Sequence, residues 1–117
     1  MSNVTARETK RKGRTASLLK EIVSSFIKLK INLEAIVTVM RVEMTTDLRL
    51  AKVFISVFPG EKEREFLAAL KRKDREFKNF MKDKIKVRIL PSVTFEADKS
   101  WKLEQRIKEL LNKQRVA

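Results

Sequence analysis

Two segments of alternating apolar and polar residues constrain the fold of this chain more than any other feature of its sequence. They are IVTVMRVEM at residues 36–44 and LAKVFISVF at residues 50–58. Alternation with a period of two is typical of β-strands that bury one face. The predicted inner faces consist of Met40, Val42 and Met44 in the first segment and Ala51, Val53, Ile55 and Val57 in the second. Because only residues 45–49 separate the segments, we expect an antiparallel hairpin.

Apolar residues at helical spacing lie on both sides of this hairpin. Upstream they are Leu18, Leu19, Ile22, Val23, Phe26 and Ile27, in a helix that we expect to begin near Thr15 or Ser17, either of which can cap it. Downstream, residues 61–85 contain no glycine or proline, and their apolar stripe is Phe66, Leu67, Leu70, Phe77, Met81 and Ile85. Lys73 and Asp74 fall where this stripe should continue, which predicts a bend or a break between two helical halves.

A third strand and a last helix are predicted from the remaining residues. Residues 87–98 form the strand, and its apolar side is Val87, Ile89, Val93 and Phe95. Pro91 indicates a bulge or an edge position, because proline donates no hydrogen bond to a neighbouring strand. Asp98 or Ser100 can cap the last helix. Its predicted buried stripe is Leu103, Ile107, Leu110 and Leu111.

The resulting order, α-β-β-α-α-β-α, predicts an α/β (α+β) domain with helices packed on one face of a three-stranded sheet. We expect the opposite face to remain partly open and to carry Arg41, Lys52, Phe54 and Arg88. Residues 1–14 are basic and almost without apolar side chains, so they are either a mobile basic arm or a solubilising terminus. Residues 15–113 would then form one domain, and residues 114–117 a short tail.

Several classes of function are disfavoured by the composition. The chain has no cysteine or histidine, which removes thiolate chemistry, the commonest general base and the commonest transition-metal ligand. Gly13 and Gly60 are too few and too isolated for a phosphate-binding loop. The carboxylates are scattered along the chain. We therefore expect no enzymatic activity, no cofactor, no metal and no small-molecule substrate. Without a long apolar run, a soluble cytoplasmic protein is expected.

Charge is the feature that points to a partner. Twenty-eight lysines and arginines against fifteen acidic residues leave a net charge of +13, which a polyanion would neutralise. Nucleic acid is the first candidate, acidic membrane the second and an acidic protein the third. The excess is concentrated at residues 71–88. The alternative there is a solvated helix with ion pairs such as Asp74–Lys78 and Asp83–Lys86, but positive charge remains after such pairing, which favours phosphate contact.

The predicted binding residues come from this stretch and from the amino-terminal segment. They are Lys71, Arg72, Lys73, Arg75, Lys78, Lys82 and Arg88, together with Arg11, Lys12 and Arg14. Trp101 and Phe54 could each stack on a base or simply pack against the protein. The membrane alternative is weaker, since the apolar stripe beside the basic cluster is needed for the core.

Three segments, in this order, resemble the ribosome-binding factor A family of bacterial small-subunit assembly factors. VTVMRVEMTTDLRLAKVFISVFP is similar to the first hairpin of the family, with Asp47-Leu48 before the VFISV strand. VRILPSVTFEADKS is similar to its third strand, and the pair Leu110-Leu111 closes the last helix. The likeness runs from the first helix to about Leu111.

The resemblance implies a type II KH-like topology and a non-catalytic role. It implies a monomer that binds the immature small (30S) subunit and its precursor rRNA, assists 16S rRNA processing and contributes to cold adaptation. The sequence departs from the family at Lys73-Asp74-Arg75, where an Ala-x-Gly kink is expected and no glycine is found. The bend could therefore be weaker here. The rival functions are a stably bound ribosomal or nucleoid-type protein and a metal-dependent RNase.

Overall fold

A computed structural model of the protein describes residues 6–115, apart from the side chains at positions 8, 101–105 and 113–115. Its helices are α1 (Ala6–Lys30), α2 (Glu63–Arg72), α3 (Asp74–Lys84) and α4 (Lys99–Arg115), with a short 3-10 helix at Gly60–Lys62. Its strands are β1 (Ile36–Met44), β2 (Leu50–Phe58) and β3 (Ser92–Ala97), in the spatial order β1-β2-β3. The hairpin is antiparallel and β3 runs parallel to β2. This architecture confirms the predicted fold class.

A bulge in β1 changes which of its side chains reach the core. The pairing moves from Val39 opposite Ile55 to Arg41 opposite Phe54, so Met40 has no partner across the hairpin. The extra residue resets the alternation, as β-bulges do. The side chains of β1 that pair with the buried residues of β2 are therefore Val37, Val39, Val42 and Met44. The predicted set was right for Val42 and Met44 and missed Val37 and Val39.

The core lies between one face of the sheet and helices α1, α2 and α3. α1 contributes the buried residues Leu19, Ile22, Val23 and Phe26. The Phe26 ring packs edge-on against Phe77 with centroids 5.2 Å apart, and Phe77 packs in the same way against Phe95 at 5.4 Å. These edge-to-face contacts join α1, α3 and β3, which do not adjoin in sequence.

α1 begins at Ala6, earlier than the predicted start near Thr15. The hydroxyl of Thr15 donates to the carbonyl of Arg11 at 2.9 Å inside the helix, so the prediction that Thr15 or Ser17 caps α1 was wrong. The apolar stripe marked only the buried part of the helix. Residues 6–14 have good helix formers but no apolar face, and composition alone had suggested an arm. The mobility of that arm stays a prediction.

The helical break and the third strand differ in how well they were predicted. Lys73 separates α2 from α3, which confirms the break expected at Lys73 and Asp74. β3 is shorter than expected, because residues 85–91 form an irregular connection and the strand begins at Ser92. The buried Pro91 lies directly before the strand instead of inside it, and β3 is an edge strand. Ile89 is consequently exposed and does not share a strand face with Val93.

The last helix leaves the described members of its predicted stripe about half exposed. Ile107, Leu110 and Leu111 are 48%, 55% and 53% exposed. The fourth predicted member, Leu103, has a side chain outside the described residues, as has Trp101. The start of α4 is as predicted: Asp98 precedes it, and its Oδ1 accepts the backbone N–H of Ser100 at 3.0 Å, which is the geometry of an N-cap.

Candidate nucleic-acid interface

Six of the predicted basic residues lie on the α2–α3 pair, and four of them have no acidic partner among the described side chains. Lys73 pairs with Glu76 at 3.8 Å and Lys78 with Asp74 at 3.1 Å. The four others are Lys71, Arg72, Arg75 and Lys82. Among the residues that the structure describes, no carboxylate lies within 4.0 Å of these four exposed side chains. The surface of α2 and α3 formed by these six residues, which we call the α2–α3 face, therefore keeps a surplus of positive charge.

A cleft of about 700 Å³ separates this face from the third strand. Its apolar lining comes from α2 and from the side chains of Val93 and Phe95, and its charged rim is Lys71, Asp74 and Lys78. β3 pairs with β2 along one edge only, and no other described strand covers its second edge. Backbone N–H and C=O groups that no described strand pairs, an apolar floor and a rim with one surplus positive charge at Lys71 together suit an extended anion with apolar groups.

The break between α2 and α3 forms without glycine. Lys73 has φ −95° and ψ 18°, in the sparsely populated bridge region, which does not require glycine. Its N–H donates to the carbonyls of Ala69 at 3.1 Å and Leu70 at 3.2 Å, and its own carbonyl accepts from the N–H of Phe77 at 2.8 Å. The helix is therefore interrupted at Lys73 without a glycine, and the weaker bend considered from the missing glycine stays a prediction.

The other predicted residues lie elsewhere. Arg88 is in the α3–β3 connection, where it lines a second depression together with Arg11 of α1. Arg14 borders a shallow groove on the outer side of α1, and Lys12 is half-buried. The structure thus separates the α2–α3 face from the other predicted residues, of which Arg11 and Arg88 share a depression. Arg49, in the β1–β2 turn, lines the same depression. Sequence reasoning missed it, although its place beside Asp47 in a predicted turn was a signal of exposure.

The open face of the sheet is less cationic than predicted, because its basic residues are neutralised. The Arg41 guanidinium stacks over the Phe54 ring at 3.9 Å and pairs with Glu43 and Asp98, each at 3.3 Å. Lys52 pairs with Glu96 at 3.7 Å. The prediction that Arg88 shares this face was wrong, since it lies outside the sheet. Phe54 is covered by Arg41, which favours packing over base stacking.

Asp98 is the one buried ionisable residue among the described side chains, at 5% exposure. The hydroxyl of Ser100, which donates to the carboxylate, is the main cause that lowers the pKa of Asp98, and the Arg41 charge adds to it against the opposing effect of burial. An ionised Asp98 therefore links β1 to the first turn of α4. This contact is structural, and nothing in it resembles an acid–base pair.

Other chemistry is not supported by the described part of the chain. No group of three or more histidine, cysteine, aspartate or glutamate side chains is arranged to hold a metal ion among the described residues. Within the same residues, no helix combines the length and apolarity needed to cross a bilayer.

Comparison with known proteins gives one consistent result. The family model for ribosome-binding factor A matches residues 11–111. The ribosome-binding factor A of Clostridium perfringens is 38% identical over 100 residues, covering 81% of this chain and 86% of that protein. That of Protochlamydia amoebophila is 36% identical over 107 residues, covering 88% and 82%. The crystal structure of ribosome-binding factor A from Thermus thermophilus superimposes with a TM-score of 0.65 at 23% identity, covering 74% of this chain and 94% of that one.

Fold and matches together define a class, the non-catalytic ribosome assembly factors that are built on a small α+β fold. Within that class the chain belongs to the ribosome-binding factor A family. It is a ribosome-binding factor involved in maturation of the 30S subunit. The family resemblance, the fold class and the absence of catalysis expected from the sequence are confirmed.

Proposed function

We propose that the α2–α3 face and the adjoining cleft bind precursor rRNA of the immature small subunit. The contacting residues would be Lys71, Arg72, Lys73, Arg75, Lys78 and Lys82, with Arg11, Lys12, Arg14 and Arg88 as further contacts. The protein would act as a monomer in the cytoplasm. Residues 15–113 would form the binding domain and residues 1–14 an accessory basic arm.

The observation that supports this proposal is the unpaired charge on the α2–α3 face. Only Lys73 and Lys78 of its six cations have a carboxylate partner within 4.0 Å among the described residues. Arg75, Lys78 and Lys82 occur at helical spacings of three and four, so they lie along one side of α3. A row of cations on a rigid helix can follow a phosphate backbone, and each phosphate neutralised releases condensed counterions.

Such contacts select shape more than sequence. Lysine and arginine side chains that reach phosphates carry no base information, whereas the free edge of β3 offers backbone donors and acceptors to unstacked bases in the cleft. The combination favours RNA with a single-stranded segment beside a helix. Immature rRNA, in which such segments have not yet paired, fits this chemistry.

The test removes three of the four unpaired charges without disturbing the ion pairs. We expect the triple variant Arg72→Gln, Arg75→Gln, Lys82→Gln to bind precursor small subunits about tenfold or more weakly near 0.1 M salt, with a shallower salt dependence. Glutamine is a good helix former, so the helices should persist. The measurement is cosedimentation with purified subunits across a salt series, with circular dichroism to check the fold.

The matched control removes the same charge from exposed residues of α1, as Lys20→Gln, Lys28→Gln, Lys30→Gln. If both triple variants lose affinity equally, net charge rather than the α2–α3 face decides binding, and the proposed site is wrong.

Sucrose gradients of cell extracts separate a transient factor from a stable ribosomal protein. A factor is found on free small subunits and is missing from translating ribosomes.

A further inference from the structure

Three arginines from three different elements meet in a depression at the hairpin end of the sheet. They are Arg11 of α1, Arg49 of the β1–β2 turn and Arg88 of the α3–β3 connection. The depression has a volume of about 260 Å³, and Thr15 and Pro91 also line it. Since these arginines are distant in sequence, no charge run predicts their meeting. The fold alone brings them together.

The backbone that carries Arg49 is held in place by hydrogen bonds. Its carbonyl accepts the N–H of Ser92 at 2.7 Å, and its N–H donates to Asp47 Oδ1 at 3.1 Å. Asp47 also accepts the hydroxyl of Thr45 at 2.6 Å. Leu48 has φ +62°, in the left-handed region that tight turns use. The Arg49 carbonyl therefore joins the turn to Ser92, the first residue of β3, which directly follows the buried Pro91. This contact holds the backbone of Arg49 in a defined position near Arg88.

The described side chains do not balance the charge of this depression. Asp47 is the one carboxylate among its described lining residues, so these carry three positive charges and one negative. No described carboxylate lies within 4.0 Å of the three guanidinium groups. The Asp47 carboxylate is engaged by Thr45 and by the Arg49 N–H, whose hydrogen bonds lower its pKa, so it remains ionised at neutral pH.

We infer that this three-arginine depression binds one phosphate group of the RNA backbone and forms a second anchor apart from the α2–α3 face. A guanidinium offers a planar pair of donors that matches two phosphate oxygens. Three of them around a small depression suit a compact dianion or a phosphodiester better than a flat polyanionic surface. This inference rests on the proposed function and names a further contact within it.

The first test compares two single variants with the same change of charge. Arg49→Gln should weaken binding to precursor subunits about fivefold at 0.1 M salt and reduce the slope of log K against log salt by about 0.7, as for one lost phosphate contact. Arg64→Gln is the control. Arg64 is an exposed residue of α2, and α2 follows the carboxyl end of β2, whereas the hairpin turn precedes its amino end. The Arg64→Gln substitution should therefore leave both the affinity and the salt slope unchanged.

A second variant, which removes a negative charge instead of a positive one, should change the affinity in the opposite direction. Asp47→Asn keeps the acceptor oxygen for Thr45 and for the Arg49 N–H but removes the one negative charge of the lining. Binding should therefore strengthen about twofold, the size expected for an exposed charge. If Asp47→Asn weakens binding while the fold is retained, the carboxylate and not the arginines makes the contact, and the inference is wrong.

The second test uses the purified full chain and inorganic pyrophosphate, with arginine Nε–H signals followed by NMR. The signals of Arg11, Arg49 and Arg88 should shift together along one binding curve, which Arg49→Gln weakens, while that of Arg64 should not move. Equal shifts of all arginines would mean non-specific binding and overturn the inference.

The two failures are distinguishable. If wild type does not bind precursor subunits at low salt, the proposed function is wrong, and this inference is wrong with it. If wild type binds and the α2–α3 triple variant does not, but Arg49→Gln equals wild type, only the three-arginine depression is refuted.

Discussion

Helices α1 and α4 have similar sequence patterns but differ in how far their apolar side chains are buried in the structure. Both place apolar residues every three or four positions among lysines, arginines and glutamates. In α1 the stripe is buried, with Leu19, Val23 and Phe26 fully hidden from solvent. In α4 the described members Ile107, Leu110 and Leu111 are about half exposed. The difference lies in what surrounds each helix, because α1 packs on β1 and α3 and α4 packs on no described element to a comparable extent.

Helical periodicity by itself does not establish that a helix is buried. A repeated apolar spacing predicts that a helix has a side that favours burial. Whether that side is covered depends on the presence of a complementary surface. The sheet has one face for helices, and α1, α2 and α3 already occupy it. α4 starts at the far end of β3, where the described side chains link it to the fold through the Asp98 cap and the Arg41 ion pair.

The largest expected effect is in the buried stripe of α1. Phe26→Ala removes a fully buried ring that contacts Phe77 and Phe80, at centroid distances of 5.2 and 5.5 Å. The free energy of unfolding should fall by about 3–5 kcal/mol, measured by urea denaturation. A loss below about 1 kcal/mol, the size typical of surface positions, would mean that α1 is not packed as described.

A smaller loss is expected at the link between α4 and the sheet. Asp98→Ala removes the cap of α4 and leaves Arg41 with Glu43 alone, so unfolding should become easier by about 1–2 kcal/mol at pH 7. The pKa of Asp98 is lowered in the folded state. The stability that the Asp98 carboxylate contributes is therefore fully present above the ordinary aspartate pKa, and it is lost as the pH falls through the pKa of Asp98 in the folded protein.

The measurement for Asp98 is a pair of urea titrations, at pH 7 and at progressively lower pH, on wild type and Asp98→Ala. The difference between them should shrink on acidification. Asp98→Asn is the control, because it keeps the oxygen that accepts the Ser100 N–H but cannot carry the charge. A difference that is constant with pH would show that the ionised form contributes nothing.

A gain in stability is expected in the exposed first part of α1. Gly13 lies within the helix, and a Cβ added there meets no atom within 4 Å. Gly13→Ala should raise the free energy of unfolding by about 0.5–1 kcal/mol, since alanine lowers the entropy of the unfolded chain and favours the helix. Helical circular dichroism should rise as well. No change in either would indicate that residues 6–14 are not helical in solution.

The smallest effect is expected on the exposed stripe of α4. Leu110→Ala should change the free energy of unfolding by less than about 0.5 kcal/mol, as is usual for surface positions. Urea denaturation of this variant beside Phe26→Ala tests the comparison directly. A loss of 2 kcal/mol or more at Leu110 would show that α4 is packed against the domain after all.

The local pattern was enough to predict the elements of this fold and their order. Strand alternation located β1 and β2 within their observed bounds, and the interrupted stripe at Lys73 located the α2–α3 break. β3 lies at the edge of the sheet, one of the two positions that Pro91 indicated, although the proline itself lies before the strand. These features are determined by residues close in sequence, so the sequence could reveal them. The bulge at Met40 could not be predicted, since it depends on the partner strand.

The candidate site was predictable only in part, for the same reason. Six of its basic residues are near neighbours on two consecutive helices, and their clustering is visible as a charge run. Arg11, Arg49 and Arg88 meet only after the chain has folded. The pairing of Arg41 with Asp98, which neutralises part of the open sheet face, likewise joins residues far apart in sequence.

Composition and local periodicity are enough to show that this chain is a small, strongly cationic α+β protein without thiol or imidazole chemistry, because both depend on nothing beyond neighbouring residues. Folding in three dimensions establishes which apolar stripes are buried, which cations stay unpaired and which arginines share a depression. Burial and charge pairing are properties of surfaces brought together in space, and their energies depend on distances that the order of residues does not contain.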